Sequence, residues 1–342
     1  MSLPNCSSPV PFSRFEEIIS RFPEQRLLVV GDLMLDEFIW GCVNRISPEA
    51  PVPVIEVQKE SCFPGGAANV ARNLCEFTSH VSLMGIIGAD EPGNTLQKLL
   101  TAAGIGTRGV IESSQHQTIV KSRVIARNQQ IARIDREKRR PVLPEQQAQA
   151  IACFREALPE IDAIILEDYS KGFFSQEIAD AFCRMAREVG KVITVDPNPK
   201  NHIAWKNVTA IKPNRLEAFS AAGKVDEGIV LPVLADRALL ETGWHLIEKW
   251  EADFLLLTLS ENGMLLFERG ASNPTHHTVR CHEVFDVSGA GDTAIALLTL
   301  ALCSGATAVE AAEISNAASS IVIEKAGTAT VTKTELLGLL KV

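Results

Sequence analysis

The chain has 342 residues, of which 46% are hydrophobic and 22% are charged, and its formal net charge is -9. A composition of this kind is typical of a folded globular protein and excludes a disordered or fibrous chain. The negative charge repels nucleic-acid phosphates and anionic membrane surfaces, so neither is an expected partner.

The N-terminal residues 1–20 are polar and lack the continuous apolar core of a signal peptide. The eight cysteines show no C-x-x-C pair and no regular spacing, so neither a disulfide framework nor a zinc site is predicted. The longest apolar stretch, residues 294–303, is shorter than the roughly 20 residues that cross a bilayer. We therefore expect a cytoplasmic protein.

Strand and helix patterns alternate along most of the chain. A helical pattern at residues 12–22 is followed by an apolar run at 27–30, and an amphipathic helix pattern occupies 176–189. Further strand-like runs lie at residues 81–87, 163–166, 192–195, 209–211 and 254–259. These runs are continuously apolar, as strands of a parallel sheet covered on both faces tend to be. The alternation predicts an α/β fold with a doubly wound, mostly parallel sheet flanked by helices.

Two regions depart from this alternation. Residues 51–57 and 118–135 have β-type residues with partial alternation and no helix pattern between them. They predict a small β-sheet lid, formed by segments at about 40–63 and 111–135. No repeat or low-complexity linker is present, so residues 1–342 are expected to form one domain.

A glycine-rich segment at residues 286–293 immediately precedes an apolar helix. Glycines at a helix start leave backbone N–H groups free, and the helix dipole adds positive potential there. An anion is therefore expected at Gly289, Ala290 and Gly291. Asp292 is either a capping carboxylate or a general base beside that anion, as phosphoryl transfer requires.

Gly65 and Gly66 open a second helix pattern, and Asn69 follows in its first turn. Two glycines let a ligand approach the backbone, and Asn69 offers a donor and an acceptor to a polyhydroxylated molecule. A tight turn without a ligand is the alternative. Neither glycine-rich segment matches a dinucleotide fingerprint or a P-loop.

Polar residues follow several of the predicted strands. Ligands of open α/β sheets bind outside the carboxyl ends of strands, so these residues are expected to converge on one crevice. Each residue taken alone is also typical of a turn or a helix cap. The residues are Asp32, Asp36, Asp168, Lys171, Asp196, Asn214 and Glu217.

Three of these segments together resemble the markers of the ribokinase-like (PfkB) carbohydrate kinases. They are Gly65-Gly66 with Asn69, Asn214 with Glu217, and residues 289–292, and the likeness runs from about residue 27 to 332. Residues 45–54, 64–71, 127–130 and 168–172 also resemble the kinase domain of bacterial ADP-heptose synthases. That domain phosphorylates D-glycero-β-D-manno-heptose 7-phosphate at O1. The chain ends at Val342 without a nucleotidyltransferase pattern, so the stand-alone kinase form is expected.

The resemblance implies an ATP-dependent sugar kinase with Asp292 as the base and the amides of Gly289, Ala290 and Gly291 as the anion hole. It places Mg²⁺ near Glu217 and, as in some relatives, a monovalent cation such as K⁺ near Asp286, Ser288 and the loop around Gly327. Ser260 stands where glycine is usual. ATP would be held by Asn214, Arg215, Leu216, Glu217, Thr258, Ser260, Gly263 and Asn316. The sugar would be held by Asp32, Asp36, Gly65, Gly66, Asn69 and Asp168.

A phosphate on the sugar needs local cations, because the overall charge of the chain is negative. Lys121, Arg123, Arg127 and Lys171 are the candidates, with a solvated lid face as the alternative interpretation. The basic run 136–140 is interpreted as a solvated turn, and His276, His277 and His282 are not predicted to bind a metal.

Three matters remain open on the sequence alone. The acceptor is either heptose 7-phosphate or another sugar, sugar phosphate or nucleoside. A catalytically silent sugar-binding protein is the alternative from another functional class. Exposed lid edges can pair between subunits, so a homodimer is expected.

Overall fold

The computed structural model of the protein describes residues 10–127, 129–280, 285–325 and 329–341. The described residues form two β-sheets and the helices that cover the larger sheet. The larger sheet has nine strands in the order β13-β12-β11-β10-β9-β8-β1-β4-β5. These strands are β1 (Leu27–Gly31), β4 (Val81–Gly88), β5 (Gly106–Ser113), β8 (Ala163–Glu167), β9 (Val192–Asp196), β10 (Ala210–Ile211), β11 (Phe254–Thr258), β12 (Met264–Glu268) and β13 (Thr275–His277).

The strands from β11 through β5 pair in parallel, whereas β12 and β13 add antiparallel strands at one edge. The helices of the described residues are α1 (Phe12–Ser20), α2 (Ala67–Cys75), α3 (Glu91–Ala102), α4 (Pro144–Ala157), α5 (Gln176–Glu188), α6 (Arg215–Ala221), α7 (Arg237–Trp250), α8 (Ala290–Cys303), α9 (Ala308–Val322) and α10 (Lys333–Leu340). The predicted doubly wound α/β sheet is confirmed.

The core consists of two apolar clusters, one on each face of the larger sheet. Leu27 and Val29 of β1 belong to one cluster, and Leu28 and Val30 belong to the other. Successive side chains of a strand point to opposite faces, so a strand that is covered on both sides must be apolar at every position. Helices α4, α5, α6 and α7 pack on one face, and α1, α2, α3, α8, α9 and α10 pack on the other.

The smaller sheet has four strands in the order β3-β2-β6-β7. They are β2 (Leu33–Ile46), β3 (Pro53–Gly66), β6 (Ile119–Ala126) and β7 (Gln129–Arg136). The predicted lid segments at 40–63 and 111–135 differ from this sheet at their ends. The sheet starts at residue 33, because β2 follows β1 after the single residue Asp32, and residues 111–113 belong to β5 of the larger sheet.

No helix in the described ranges combines the length and the apolar character needed to cross a membrane.

Helix α7 approaches β12 so closely that a glycine is required at the contact. A Cβ atom placed on Gly243 would lie 2.1 Å from Cζ of Phe267, whereas one on Gly338 in α10 meets nothing within 4 Å. We expect Gly243→Ala to lower the free energy of unfolding by about 2 kcal/mol, because overpacking a core costs roughly that much. Gly338→Ala is the matched control and should stabilise by up to about 1 kcal/mol through helix propensity. Urea unfolding of both variants measures the difference, and equal effects would contradict the packing argument.

Candidate active site

Asp292 lies in the first turn of α8, whose N-cap Gly289 has a φ of 80° in the left-handed region. Its carboxylate is buried and accepts hydrogen bonds from Asn69 Nδ2 at 2.6 Å and from the Tyr169 hydroxyl at 2.7 Å. Burial raises the pKa of Asp292 to about 6, while these two donors favour the ionised form. The side chain therefore faces polar groups from α2 and the 168–173 loop, and it does not cap its own helix.

The backbone at the start of α8 supplies free amides beside this carboxylate. Within the described residues, the amides of Gly289 and Gly291 donate to no protein group. The amide of Ala290 donates to the carbonyl of Val287 at 3.3 Å, so it is less available than expected. Free amides at the start of a helix, aligned with its dipole, form a site for an anion.

Asn69 is held in place by a polar contact between α2 and α8. Thr293 Oγ1 donates to Asn73 Oδ1 at 2.9 Å, and Asn73 Nδ2 donates to the carbonyl of Asn69 at 2.9 Å. The Oδ1 atom of Asn69 is buried and has no hydrogen-bond partner in the described part of the chain. A buried acceptor of this kind is costly to leave unpaired, and a ligand hydroxyl can satisfy it.

The 168–173 loop brings Tyr169, the only tyrosine of the chain, to Asp292. Asp32 fixes this loop, because its carboxylate accepts the backbone amides of Tyr169 at 3.0 Å, Lys171 at 2.9 Å and Phe173 at 3.1 Å. The prediction gave Asp32 a direct contact with the sugar. In the structure, both carboxylate oxygens of Asp32 accept hydrogen bonds from backbone amides of this loop, so Asp32 positions other site residues.

Asp168, like Asp32, accepts hydrogen bonds from protein groups around it. Its carboxylate accepts the Ser170 amide at 2.7 Å and Asn201 Nδ2 at 3.0 Å. Burial, followed by the nearby Asp32, raises the pKa of Asp168 to about 7. Asp168 lines the same cavity as Asp292, and both of its carboxylate oxygens have protein partners.

Lys212 was given no role by the sequence analysis, yet its ammonium lies at the centre of the site. Its Nζ is 2.7 Å from Asp196 Oδ2 and only 3.6 Å from the point where a Cβ on Gly291 would be. Burial alone lowers the pKa of Lys212, but Asp196 and Glu217 raise it overall, so the ammonium stays charged. A buried cation therefore faces the free amides at the start of α8.

A second buried acid, Glu167, accompanies this ion pair at the carboxyl ends of adjacent strands. Glu167 and Asp196 are register partners of β8 and β9. Burial, followed by the charge of Asp196, raises the pKa of Glu167 far above its usual range, and burial raises that of Asp196 to about 6. Burial and the adjacent carboxylate therefore both favour the protonated form of Glu167. In the sequence, Glu167 is distinguished only as a polar residue at the end of an apolar strand.

Asn214 and Glu217 form a reciprocal capping box at the start of α6. Asn214 Oδ1 accepts the Glu217 amide at 2.9 Å, and Glu217 Oε2 accepts the Asn214 amide at 2.8 Å. Both side chains line a cavity of about 260 Å³ together with Lys212 and Asp292. The motif therefore caps α6 and also lines the cavity that contains Asp292.

Arg215 and Leu216 lie between these two residues but turn away from the cavity. Arg215 is paired with Asp226 and Asp236 at 2.8 and 2.9 Å, and Leu216 is 71% exposed. The predicted contact of both residues with ATP is not what the structure shows. Each residue of a helix is rotated by about 100° from the last, so positions 214 and 217 share a face that 215 and 216 leave.

A second cavity of about 250 Å³ adjoins the first one and shares Thr258 and Gly291 with it. Ser260 has a φ of 53°, in the left-handed region that favours glycine, which explains why glycine is usual at this position. The predicted nucleotide residues Thr258, Ser260, Gly263 and Asn316 all line this cavity, along with the apolar residues Met264, Val279, Val287, Ala294 and Ile323.

The lid contributes a carboxylate and two cations. Arg123 Nη1 contacts Asp36 Oδ1 at 2.7 Å, and a Cβ on Gly65 would lie 2.6 Å from Asp36 Oδ2, so a side chain at Gly65 would displace Asp36. Lys121 is the register partner of Asp36, and its Nζ lies 5.5 Å from the centre of the Tyr169 ring. Burial and the nearby Lys171 both lower the pKa of Lys121.

The remaining predicted residues are placed as follows. Lys171 lies near Lys121 and pairs with Glu137 at 2.6 Å. Arg127 lies beyond the far end of β6 and donates to the Val43 carbonyl at 3.2 Å, so the structure separates it from the other three cations. Gly66, with a φ of 59°, is the N-cap of α2.

The predicted cation site is only partly described. The Ser288 amide donates to Asp286 Oδ1 at 2.9 Å, whereas Gly327 lies outside the described residues. A larger cavity of about 360 Å³, lined by Arg26, His80 and Cys153, lies at the amino ends of β1 and β4 and contains none of the site residues.

Comparisons with known proteins agree on the kind of molecule. The model of the pfkB family carbohydrate kinases matches residues 24–335. The Bifunctional protein HldE of Desulfatibacillum aliphaticivorans is 41% identical over 320 residues, which cover 93% of this chain and 63% of that protein. The chain thus spans less than two thirds of the length of the HldE proteins that it matches.

Two solved structures show the same fold. A ribokinase from Arabidopsis thaliana, complexed with ribose and ATP, has a TM-score of 0.69 and 17% identity, and the match covers 93% of this chain and 99% of that one. Phosphofructokinase-2 from Escherichia coli, in complex with potassium, has a TM-score of 0.72 and 17% identity, with 92% and 98% covered.

Proposed function

The chain belongs to the PfkB family of carbohydrate kinases, and on this premise we propose that it phosphorylates O1 of D-glycero-β-D-manno-heptose 7-phosphate with ATP. As a member of that family it is a phosphotransferase with an alcohol acceptor. The identity of the acceptor and the roles of individual residues are the proposal.

One observation carries the choice of a phosphorylated acceptor. Lys121 lies over the Tyr169 ring with Lys171 nearby, and the hydroxyl of that ring contacts Asp292. The contacts through the ring put Lys121 Nζ at most about 11 Å from the Asp292 carboxylate. A heptose 7-phosphate spans roughly 8 Å from O1 to phosphorus, a length within that limit. Two partly buried lysines in a chain of net charge -9 favour a phosphate over a neutral sugar.

The proposed reaction uses the site residues as follows. Asp292 takes the proton of O1 while O1 attacks the γ-phosphorus of ATP and the bond to ADP breaks. The amides of Gly289 and Gly291 and the ammonium of Lys212 stabilise the charge on the transferred group. Asn69 Oδ1 accepts a hydrogen bond from a sugar hydroxyl. The adenosine occupies the more apolar cavity, which Thr258 also lines.

Mg²⁺ is part of this proposal, and its role is to neutralise charge on the ATP phosphates. Glu217, Asp196 and Asn214 line the same cavity and offer the oxygen ligands that Mg²⁺ prefers, directly or through water. These residues therefore fit the ion. A K⁺ ion near Asp286 and Ser288 belongs to the same proposal, supported by the Asp286 carboxylate in the turn before α8.

The acceptor is tested with a panel of sugars, sugar phosphates and nucleosides, with ADP formation as the readout. Heptose 7-phosphate should be turned over with the highest kcat/KM, and the unphosphorylated heptose at least about 100-fold more slowly, because two charge-assisted contacts are lost. Lys171→Ala should remove most of this preference. Arg127→Ala is the control, since Arg127 lies outside the site. Turnover of another acceptor with no activity on heptose 7-phosphate would refute the substrate assignment.

The role of Asp292 is tested by Asp292→Asn and by pH. The variant should lose at least about 100-fold in kcat and still bind ATP, because it keeps the shape of the side chain and removes the base. In the wild type, kcat/KM should fall as the pH drops below about 6, the pKa of Asp292, since the protonated carboxyl accepts no proton.

Tyr169→Phe provides the check on this assignment. The Tyr169 hydroxyl favours the ionised form of Asp292, so its removal should raise the pKa and move the acidic limb to higher pH. An acidic limb that does not move, or full activity in Asp292→Asn, would show that another group is the base. A catalytically silent protein would show no turnover in any variant.

We also propose that the kinase is a homodimer formed through the lid. The lid sheet exposes Trp40, Ile46, Val57, Ile131 and Ile134, an unusually apolar set for the surface of a small sheet. Sedimentation equilibrium should give twice the monomer mass, and Ile134→Lys should favour the monomer by placing a charge in that surface. A monomeric wild type at micromolar concentration would contradict the proposal.

A further inference from the structure

The segment between β7 and α4, residues 137–143, packs directly on the loop that carries Lys171. The Arg140 carbonyl oxygen lies 2.1 Å from the position of a Cβ on Gly172, and the Val142 amide donates to the Gly172 carbonyl at 3.2 Å. Arg140 Nη1 also donates to the Gln115 carbonyl at 2.7 Å. The basic run was interpreted as a solvated turn, and it is exposed, but one side of it borders the acceptor site.

Glu137 is the acidic member of this segment and reaches into the cation pair. Its Oε2 atom lies 2.6 Å from Lys171 Nζ, and the two side chains are 33% and 20% exposed. The backbone of Lys171 is fixed, because its amide donates to the buried Asp32. Glu137 follows the last residue of β7, so its position depends on the lid.

Several charged groups surround Glu137. Lys121 and Lys171 lie within interaction range of each other, and Glu137 interacts with both. Asp36 and Asp135 also interact with Lys121, but each of them is paired with an arginine. Lys138 has no ion-pair or hydrogen-bond partner among the described residues, and it lines a small cavity together with Lys171 and Gly172. Lys138 therefore adds a positive charge that no described acid pairs with, as expected beside an anion subsite.

We propose that the Glu137 carboxylate occupies the place of the acceptor's phosphate on Lys171, and that a phosphate monoester displaces it when the acceptor binds. This inference rests on the proposed function, because it assumes a phosphorylated acceptor. A phosphate monoester carries more charge than a carboxylate and has three acceptor oxygens, so it competes for the lysines where a neutral sugar does not.

The test measures the binding of inorganic phosphate to the full chain by NMR titration at constant ionic strength. The signals of Tyr169 report on this site, because it is the only tyrosine. Lys171→Ala should abolish the part of the binding that these signals report. Glu137→Gln should tighten it about two- to fivefold, since it removes a partly exposed competing charge. Glu188→Gln is the matched control, because it removes the same charge from the exposed end of α5.

Three further results test the displacement of Glu137 by phosphate. Glu137→Gln should lower the KM for a phosphorylated acceptor by a similar factor and leave the KM for the unphosphorylated sugar unchanged. Lys171-dependent phosphate binding that Glu137→Gln leaves unchanged or weakens would overturn the exchange while the phosphorylated acceptor stands. Wild-type protein that binds no phosphate at this site would overturn both.

Discussion

The arrangement of the site depends on one buried carboxylate, that of Asp292. Burial raises the pKa of Asp292 to about 6, and the two donors that contact it, Asn69 and Tyr169, oppose that rise. Each donor is fixed by a different part of the fold. Asn69 depends on the contact between α2 and α8 through Asn73, and Tyr169 depends on the loop amides that Asp32 accepts. The position of the Asp292 carboxylate is therefore set by segments that are far apart in the chain.

The charged groups around Asp292 also come from different parts of the fold. Two acids, Glu167 and Asp196, lie at neighbouring strand ends, and Lys212 pairs with Asp196 at 2.7 Å. An unpaired buried charge would be costly, so the ion pair with Asp196 is what favours the charged form of Lys212 inside the protein.

The lid side of the site brings together cations from both sheets. Lys121 projects from a lid strand and Lys171 from a loop of the larger sheet, so the two lie at the junction of the sheets. Burial and the charge of Lys171 both lower the pKa of Lys121, and an anion beside these lysines would oppose both effects. Under the proposed function, the phosphate of the acceptor binds at this junction.

The sequence by itself determined the architecture and the outline of the site. Continuous apolar runs separated by amphipathic helices require a sheet that is covered on both faces, and free amides with a carboxylate at a helix start indicate an anion and a base. Tertiary structure alone decided the rest, because spacing along the chain carries no information about which distant groups meet. Lys212 and Glu167 resemble ordinary strand-end residues until the sheet places them beside α8. Asp32 resembles a ligand until three loop amides take up its oxygens, and Arg127 resembles its neighbours until the length of β6 carries it away from them.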